Sequence, residues 1–212
     1  MQESPSVTCE SSACLTHNAG ATRRHDQGFT AIELMVVISI VAILAALAAP
    51  SFNLLIERWR VRSATEDLSS SLYFARSEAI KRGGNIVLMK NANTAACTNA
   101  TGNTQWGCGW RVFYDVNGNG LQDACVAANT PNECDIQVTA APTRLTINLP
   151  ASTGGISVDR WGMLSHTGGA VVPTNMFFEL TPQGKALTDT SAAKLCASTG
   201  GRIVTKKGTD AC

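Results

Sequence analysis

One uninterrupted apolar segment constrains this sequence more than any other feature. Residues 29–49 contain a single charged side chain, Glu33, and are followed by Pro50. As a helix rising about 1.5 Å per residue, the segment would be roughly 31 Å long, enough to cross a bilayer core. A helix buried in a soluble protein rarely carries apolar residues on every face over this length. We therefore predict a transmembrane helix over residues 29–49.

The rest of the chain has a different composition. The whole sequence is 44% hydrophobic but only 16% charged, whereas about a quarter of a typical soluble domain is charged. Its net charge of +1 predicts no general attraction to nucleic acid, and its hydrophobic content argues against a mostly disordered chain. These averages combine a membrane segment with a polar domain rich in Gly, Thr and Asn.

The flanks of the apolar segment bear on how it is used. A cleaved secretory signal has an apolar stretch of about 7–15 residues, so this segment is too long for one. Basic residues precede the segment, which places that end in the cytoplasm, but arginines also follow it and leave the orientation evidence mixed. These residues are Arg23, Arg24 and His25 before the segment, and Arg58, Arg60 and Arg62 after it.

Glu33 is the anomaly, because a carboxylate within a membrane span is costly and is by default a candidate functional residue. It could reach the membrane interface, stay protonated, or pair with a positive charge supplied by a partner, which would offset the cost best.

The residues around Glu33 resemble the class III signal of type IV prepilins and type II secretion pseudopilins. They read Gly28-Phe29-Thr30-Ala31-Ile32-Glu33-Leu34-Met35-Val36-Val37. The resemblance implies that prepilin peptidase cuts after Gly28 and methylates the new N-terminal Phe29. It also implies that Glu33 pairs with the N-terminal amine of a neighbouring subunit. Residues 1–28 would be a leader peptide, which is long for this family and contains Cys9 and Cys14; a misassigned start codon would explain this.

A second helical pattern follows the apolar segment. Six apolar residues recur at spacings of three and four, and Gly83-Gly84 is a strong stop signal. We predict one long helix over residues 29–82, kinked at Pro50, whose second half packs on a folded domain. The segment Ala75–Arg82 is similar to the end of this helix in the GspH/FimT-type group of minor pilins and H-type pseudopilins. The six apolar residues are Val61, Ala64, Leu68, Leu72, Ala75 and Ala79.

Residues 83–212 change to short β-rich segments between Gly, Pro, Asn and Asp, which predicts a globular domain with an antiparallel sheet. Together with the helix lying on that sheet, this is an α+β fold of pilin type. The segment Trp110–Gly120 resembles a strand and turn of the same GspH/FimT-type group. Residues 92–109 and 122–141 are predicted to be polar insertions. The predicted strands are Ile86–Lys90, Trp110–Tyr114, Arg144–Leu149, Gly155–Asp159, Met176–Leu180 and Arg202–Thr205.

Six of the eight cysteines follow the predicted leader. We predict that they form disulfides in sequential order, each closing one loop, as expected in an oxidising compartment such as the periplasm. Zinc is the alternative, but C-x-x-C spacing is absent and His166 is the one histidine after the leader. The predicted pairs are Cys97–Cys108, Cys125–Cys134 and Cys196–Cys212.

Asp115, Asn117, Asn119 and Asp123 have the spacing of the first nine positions of a calcium-binding loop. Val126 stands at the twelfth position, where that motif needs Glu, and a strand precedes the loop. We therefore prefer an Asx/Gly-rich hairpin turn, with calcium as the alternative, and we expect no cofactor.

The sequence contains no recognisable catalytic arrangement. G-x-S-x-G, paired catalytic carboxylates and a phosphate-binding Gly loop are all absent, and His166 is expected to be a solvated loop residue. The tryptophans are expected to be core or loop anchors. We predict a protein that is not an enzyme; a membrane-anchored enzyme is the disfavoured alternative.

A second candidate function rests on the C-terminal residues Arg202, Lys206 and Lys207. Some FimT-type pilins bind DNA for natural transformation through a Gly-Arg-x-Arg-like loop. Gly201-Arg202-Ile203-Val204 resembles it in its Gly-Arg but has Val204 at the second basic position. Three charges give only a weak, salt-sensitive contact with phosphates, so an ordinary solvated strand end is the preferred interpretation.

The resemblance implies a structural subunit of a type IV pilus or of a type II secretion pseudopilus, involved in filament initiation or tip assembly. Its partners would be other pilins or pseudopilins through the N-terminal helix, prepilin peptidase and the inner membrane, with DNA as the alternative partner. It would cross the inner membrane once, with the globular domain in the periplasm, before assembly into the filament.

Overall fold

The computed structural model describes residues 28–125, 132–168 and 172–212. The predicted leader up to residue 27 and Val126 lie outside these residues. The chain divides into two compact units, one ending at Ala46 and one running from Leu47 to Cys212. A single helix, α1 (Ala31–Arg82), begins in the first unit and ends in the second.

The first unit contains the beginning of α1. Large apolar side chains there are exposed on every face, as for Ile32, Val37 and Ile38. Among the described residues, no single helix combines the length and the apolar composition needed to cross a membrane. The stretches Ala31–Leu47 and Phe52–Arg82 have the required length and apolar composition only when they are taken together. The helix begins at Ala31 rather than at the predicted Phe29, because Thr30 caps it.

The second half of α1 buries the apolar stripe that its spacing predicts. All six residues of the stripe are buried, with exposed fractions between 0 and 3%. They pack in one core with side chains from both sheets, such as Ile86 and Leu195. Burial of this stripe, rather than helix propensity alone, therefore holds the helix on the domain.

The described residues of the second unit include nine strands, which form two antiparallel sheets. A five-stranded sheet has the order β3-β2-β1-β5-β6, and a four-stranded sheet has the order β4-β7-β8-β9. The predicted α+β pilin fold is therefore confirmed, with its strands divided between two sheets. The strands are β1 (Ile86–Lys90), β2 (Trp110–Tyr114), β3 (Asp135–Thr139), β4 (Leu145–Asn148), β5 (Gly155–Val158), β6 (Leu164–His166), β7 (Met176–Pro182), β8 (Ala193–Ala197) and β9 (Ile203–Lys207).

Three strands were not predicted. The predicted polar insertion over residues 122–141 is wrong in part, because residues 135–139 pair with β2 as β3. The expectation that His166 is a solvated loop residue is also wrong, because His166 lies in β6 and pairs with Ile156 of β5. β8 was missed because Ala193-Lys-Leu-Cys-Ala197 has few β-branched or aromatic residues, but it pairs with strands on both sides.

Candidate functional site

Thr30 and Glu33 cap the start of α1 reciprocally. The Glu33 backbone N–H donates to Thr30 Oγ1 at 3.2 Å, and the Thr30 backbone N–H donates to Glu33 Oε2 at 3.3 Å. The Thr30 hydroxyl also donates to Oε2 at 3.3 Å. This is a capping box, in which Thr30 is the N-cap and Glu33 the third helical residue. Glu33 Oε1 accepts no hydrogen bond from the described residues, so one carboxylate oxygen is available to a further donor.

Gly28 and Phe29 lie immediately before this cap and are exposed. Phe29 exposes 82% of its surface. A Cβ added to Gly28 would meet no heavy atom within 4 Å. The peptide bond between the two residues therefore stands clear of the described chain.

The loop after β2 is organised by two buried carboxylates. Asp115 Oδ1 accepts the backbone N–H groups of Gly118 and Asn119 at 2.8 and 3.2 Å, and its Oδ2 accepts that of Gly120 at 2.7 Å. Glu133, fully buried, accepts the backbone N–H groups of Val116 and Asp123 at 2.8 Å each. The two carboxylates therefore accept hydrogen bonds from backbone N–H groups of this loop that have no partner in a strand or helix.

The candidate calcium ligands are engaged within this loop. Asn117 Nδ2 donates to Asp123 Oδ2 at 2.5 Å, and Asn117 Oδ1 accepts the backbone N–H of Asn119 at 2.9 Å. Gly118 and Gly120 adopt φ of +74° and +75°, as an Asx/Gly turn requires. In the part of the chain that the structure describes, no group of three or more His, Cys, Asp or Glu side chains could hold a metal ion.

The C-terminal basic residues do not form one free cluster. Arg202 and Lys207 are exposed, whereas Lys206 is half-buried and its Nζ donates to the Ala211 carbonyl at 2.6 Å. Lys194, which no sequence pattern singles out, lies directly opposite Lys206 across β8 and β9 and donates to the Asp210 carbonyl at 3.1 Å. These carbonyls offset the cost of placing two like charges opposite each other.

A cleft of about 270 Å³ adjoins these residues, and Arg202, Lys206, Phe177 and Cys212 contribute to its lining. Lys194 Nζ lies 5.1 Å from the centre of the Phe177 ring. The cleft thus combines cationic groups with an aromatic side chain, a combination suited to a nucleic acid strand.

Arg76 fixes the turn that precedes Arg202. Its Nε donates to the Gly162 carbonyl at 2.9 Å, and its Nη1 donates to the Gly201 carbonyl. Gly162 lies between β5 and β6, whereas Gly201 lies between β8 and β9, so one helical side chain links turns of both sheets. No sequence signal identified Arg76, because its contacts are 86 and 125 residues away.

Three disulfides lie among the residues that the structure describes, in the sequential order that the sequence predicts. They join Cys97 to Cys108, Cys125 to Cys134 and Cys196 to Cys212, with Cα–Cα distances of 5.6, 4.6 and 5.6 Å. Each pair closes a short loop, and the third retains the C-terminus beside β8.

His166 is half-buried in β6, and burial lowers the pKa of its imidazole below its ordinary value of 6.5. Its Nδ1 is buried and has no hydrogen-bond partner within the described residues. The tryptophans divide into two groups: Trp106 and Trp110 are core residues, whereas Trp59 and Trp161 are exposed.

Comparison with known families adds to this geometry. The family model described as type II transport protein GspH matches residues 64–204, which is more than half of the chain. This chain belongs to the GspH family. The model of the prokaryotic N-terminal methylation motif matches residues 23–49, which include Gly28, Phe29 and Glu33. The GspH match covers the end of α1 and most of the globular domain, and the methylation motif covers the N-terminal segment.

Individual proteins share between 22% and 32% sequence identity with this chain. A fimbrial protein of Pseudomonas aeruginosa is 32% identical over 113 residues, which are 53% of this chain and 67% of that protein. A fimbrial protein of Moraxella nonliquefaciens is 28% identical over 120 residues, covering 51% of this chain and 78% of that protein. The crystal structure of the type IV minor pilin FimU from Pseudomonas aeruginosa is 22% identical, with a TM-score of 0.50. It covers 74% of this chain and 95% of FimU, and this likeness supports the fold alone.

Proposed function

We propose that this GspH-family chain is a minor pilin or pseudopilin, a structural filament subunit anchored in the inner membrane through residues 29–49. Prepilin peptidase removes residues 1–28 and methylates Phe29, and residues 83–212 form the periplasmic domain. The observation that carries the proposal is the methylation-motif match over residues 23–49, placed where Gly28 and Phe29 are exposed ahead of a helix. The relatives named above, two fimbrial proteins and a minor pilin, agree with it.

Glu33 gives the proposal an assembly mechanism. One carboxylate oxygen stabilises the helix start through Thr30, and the other accepts no hydrogen bond from the described residues. The N-terminal ammonium of a neighbouring subunit would offset the cost of this charge in the membrane. Packing of the exposed apolar helix against other pilin helices then incorporates the subunit at filament initiation or at the tip.

Processing tests the first step. Co-expression of the full chain with prepilin peptidase should yield a product that begins at methylated Phe29, identified by mass spectrometry. Gly28→Ala should remain uncut, whereas the matched control Gly102→Ala, at an exposed glycine in the globular domain, should be cut normally. Cleavage of Gly28→Ala, or a wild-type chain that the peptidase leaves intact, would contradict the proposal.

Incorporation tests the second step. Glu33→Gln keeps the size of the side chain but removes the charge, so it should be processed yet fail to co-purify with filaments. Glu66→Gln, on the exposed face of the same helix, is the control and should be incorporated. Normal incorporation of Glu33→Gln would refute the charge pairing while leaving processing intact.

A second candidate function is DNA binding for natural transformation, and the cleft beside Arg202 and Lys206 favours it. Contacts with phosphates should weaken steeply as salt rises. In a low-salt gel shift with the full chain in detergent, the double variant Arg202→Ala with Lys206→Ala should bind DNA more weakly than wild type. Equal binding by the two proteins would dismiss this candidate.

A further inference from the structure

A second apolar face of α1 has no partner in the described part of the chain. Phe52, Leu55, Ile56 and Trp59 recur at i, i+3, i+4 and i+7, so they share one side of the helix. All four are exposed, Trp59 to 68%. The buried stripe begins at Val61, two and a half helical turns after Phe52 and therefore on the opposite side. We call these four exposed residues the outer face.

Three arginines accompany the outer face. Arg62 is paired with Glu66 at 2.8 Å, whereas Arg58 and Arg60 form no ion pair within the described residues. Glu57, the one acidic residue between Phe52 and Arg62, is paired with Lys185 at 2.5 Å. The segment 52–62 therefore presents apolar side chains beside positive charge that the protein itself does not neutralise.

The proposed function places this segment at the membrane surface. When Glu33 reaches the cytoplasmic interface, the hydrocarbon core begins after it, and a core of about 20 residues then ends near Asn53, four residues beyond the apolar segment 29–49. The Trp59 backbone lies six residues further along the helix, or about 9 Å, just beyond a headgroup layer of about 5–8 Å. Side chains on a helix point back toward its N-terminus, so the Trp59 indole extends toward the bilayer and into that layer. Arginines are usually concentrated on the cytoplasmic side of a span, so three of them on the other side need a separate explanation.

We propose that the outer face and its arginines bind anionic phospholipid headgroups of the leaflet from which the globular domain emerges. Tryptophan is enriched at the level of the headgroups, and basic residues near a membrane surface are attracted to anionic lipid. This contact holds the segment 52–62 on the bilayer until the subunit leaves for the filament. The inference rests on the proposed membrane insertion and adds a lipid class to it.

The experiment uses the full chain in phosphatidylcholine vesicles that contain a fixed fraction of phosphatidylglycerol. Trp161→Phe leaves Trp59 as the one exposed tryptophan, because Trp106 and Trp110 are buried. Bromine is placed on the acyl-chain carbons nearest the headgroup of one lipid or the other, so that it lies within reach of a tryptophan at headgroup level, and quenching of tryptophan fluorescence is compared. Each engaged arginine should enrich the anionic lipid about fivefold around Trp59, so brominated phosphatidylglycerol should quench more strongly.

Arg58→Gln with Arg60→Gln should remove this preference. The matched control is Arg202→Gln with Lys207→Gln, which removes the same charge from an exposed site elsewhere and should keep the preference. Equal quenching by the two brominated lipids, or a preference that survives loss of both arginines, overturns the inference.

Two further outcomes are distinguishable. If neither lipid quenches Trp59 and it becomes shielded only as protein density rises, a second copy covers the outer face and the lipid proposal is wrong. Resistance to alkaline carbonate extraction reports insertion separately. A chain that carbonate extracts refutes the proposed function and this inference together, whereas an inserted chain with equal quenching refutes this inference alone.

Discussion

Gly201 lies where the turn between β8 and β9 meets the helix. Its φ is +79°, and a Cβ added there would overlap the guanidinium of Arg76. That guanidinium donates to the carbonyls of Gly201 and Gly162, so it cannot withdraw without losing these hydrogen bonds. Gly201→Ala should therefore destabilise the protein in two ways, through backbone strain and through displacement of Arg76.

The two costs can be estimated separately. Alanine at a left-handed φ costs about 1–2 kcal/mol. Hydrogen bonds from a charged group contribute about 1.5–3 kcal/mol each, but Arg76 is half-buried and water replaces part of them, so we take about 2 kcal/mol for both. The expected loss is about 3–4 kcal/mol. Gly184, with φ of +78° and no heavy atom within 4 Å of an added Cβ, should lose only the backbone cost of about 1–2 kcal/mol.

Denaturant unfolding of the full chain in detergent, followed by tryptophan fluorescence, measures both variants. In an Arg76→Ala background, Gly201→Ala should cost only the backbone term, which gives a coupling energy of about 2 kcal/mol between the two positions. Equal losses of unfolding free energy for Gly201→Ala and Gly184→Ala would refute this reasoning. So would a Gly201→Ala loss that is the same with and without Arg76.

Three further predictions concern residues of the same domain. The lowered pKa of His166 means that the imidazole binds a proton more readily in the unfolded chain, so the unfolding free energy should fall as pH drops below about 6.5. Denaturant unfolding of His166→Gln at several pH values should show a smaller fall over that range. Asp115→Ala should cost about 2–3 kcal/mol in denaturant unfolding because three backbone N–H groups lose their acceptor, while calorimetry of the wild type with Ca²⁺ should show no heat; binding of Ca²⁺ would contradict the turn interpretation. Leu68→Ala should cost about 2–5 kcal/mol in the same unfolding assay, but Ser77→Ala on the exposed face less than about 0.5 kcal/mol, and similar losses would mean that the stripe is not the main helix contact.

Local patterns predicted the elements whose periodicity is strong. The 3.6-residue stripe from Val61 to Ala79 predicts the helix and the face that it buries. Short β-rich segments bounded by Gly, Asn and Asp predict β1 and β2 with the bounds that the structure has. The division into two sheets could not be predicted in this way. β1 pairs with β5, far along the chain, and no local signal records that pairing.

Glu133 and Arg76 could not be identified from the sequence, and the physical reason is the same for both. Glu133 accepts the N–H of Val116 from 17 residues away, and Arg76 reaches Gly201 across 125 residues. Their roles depend on tertiary contacts rather than on neighbours in the sequence. The Thr30–Glu33 capping box is the opposite case, since a Thr-x-x-Glu spacing alone identifies it.

The three disulfides have a consequence for how the chain becomes oxidised. Each of the three disulfides in the second unit joins two cysteines that are consecutive in the sequence, at separations of 11, 9 and 16 residues. Short loops close at the lowest entropic cost, so the native partner of each thiol is also the one it meets most often in the unfolded chain. A simple oxidant should therefore favour the native pairs, although only about twofold for Cys108, whose other neighbour Cys125 lies 17 residues away. Each pair can also form as soon as its own loop has emerged, before the later strands exist.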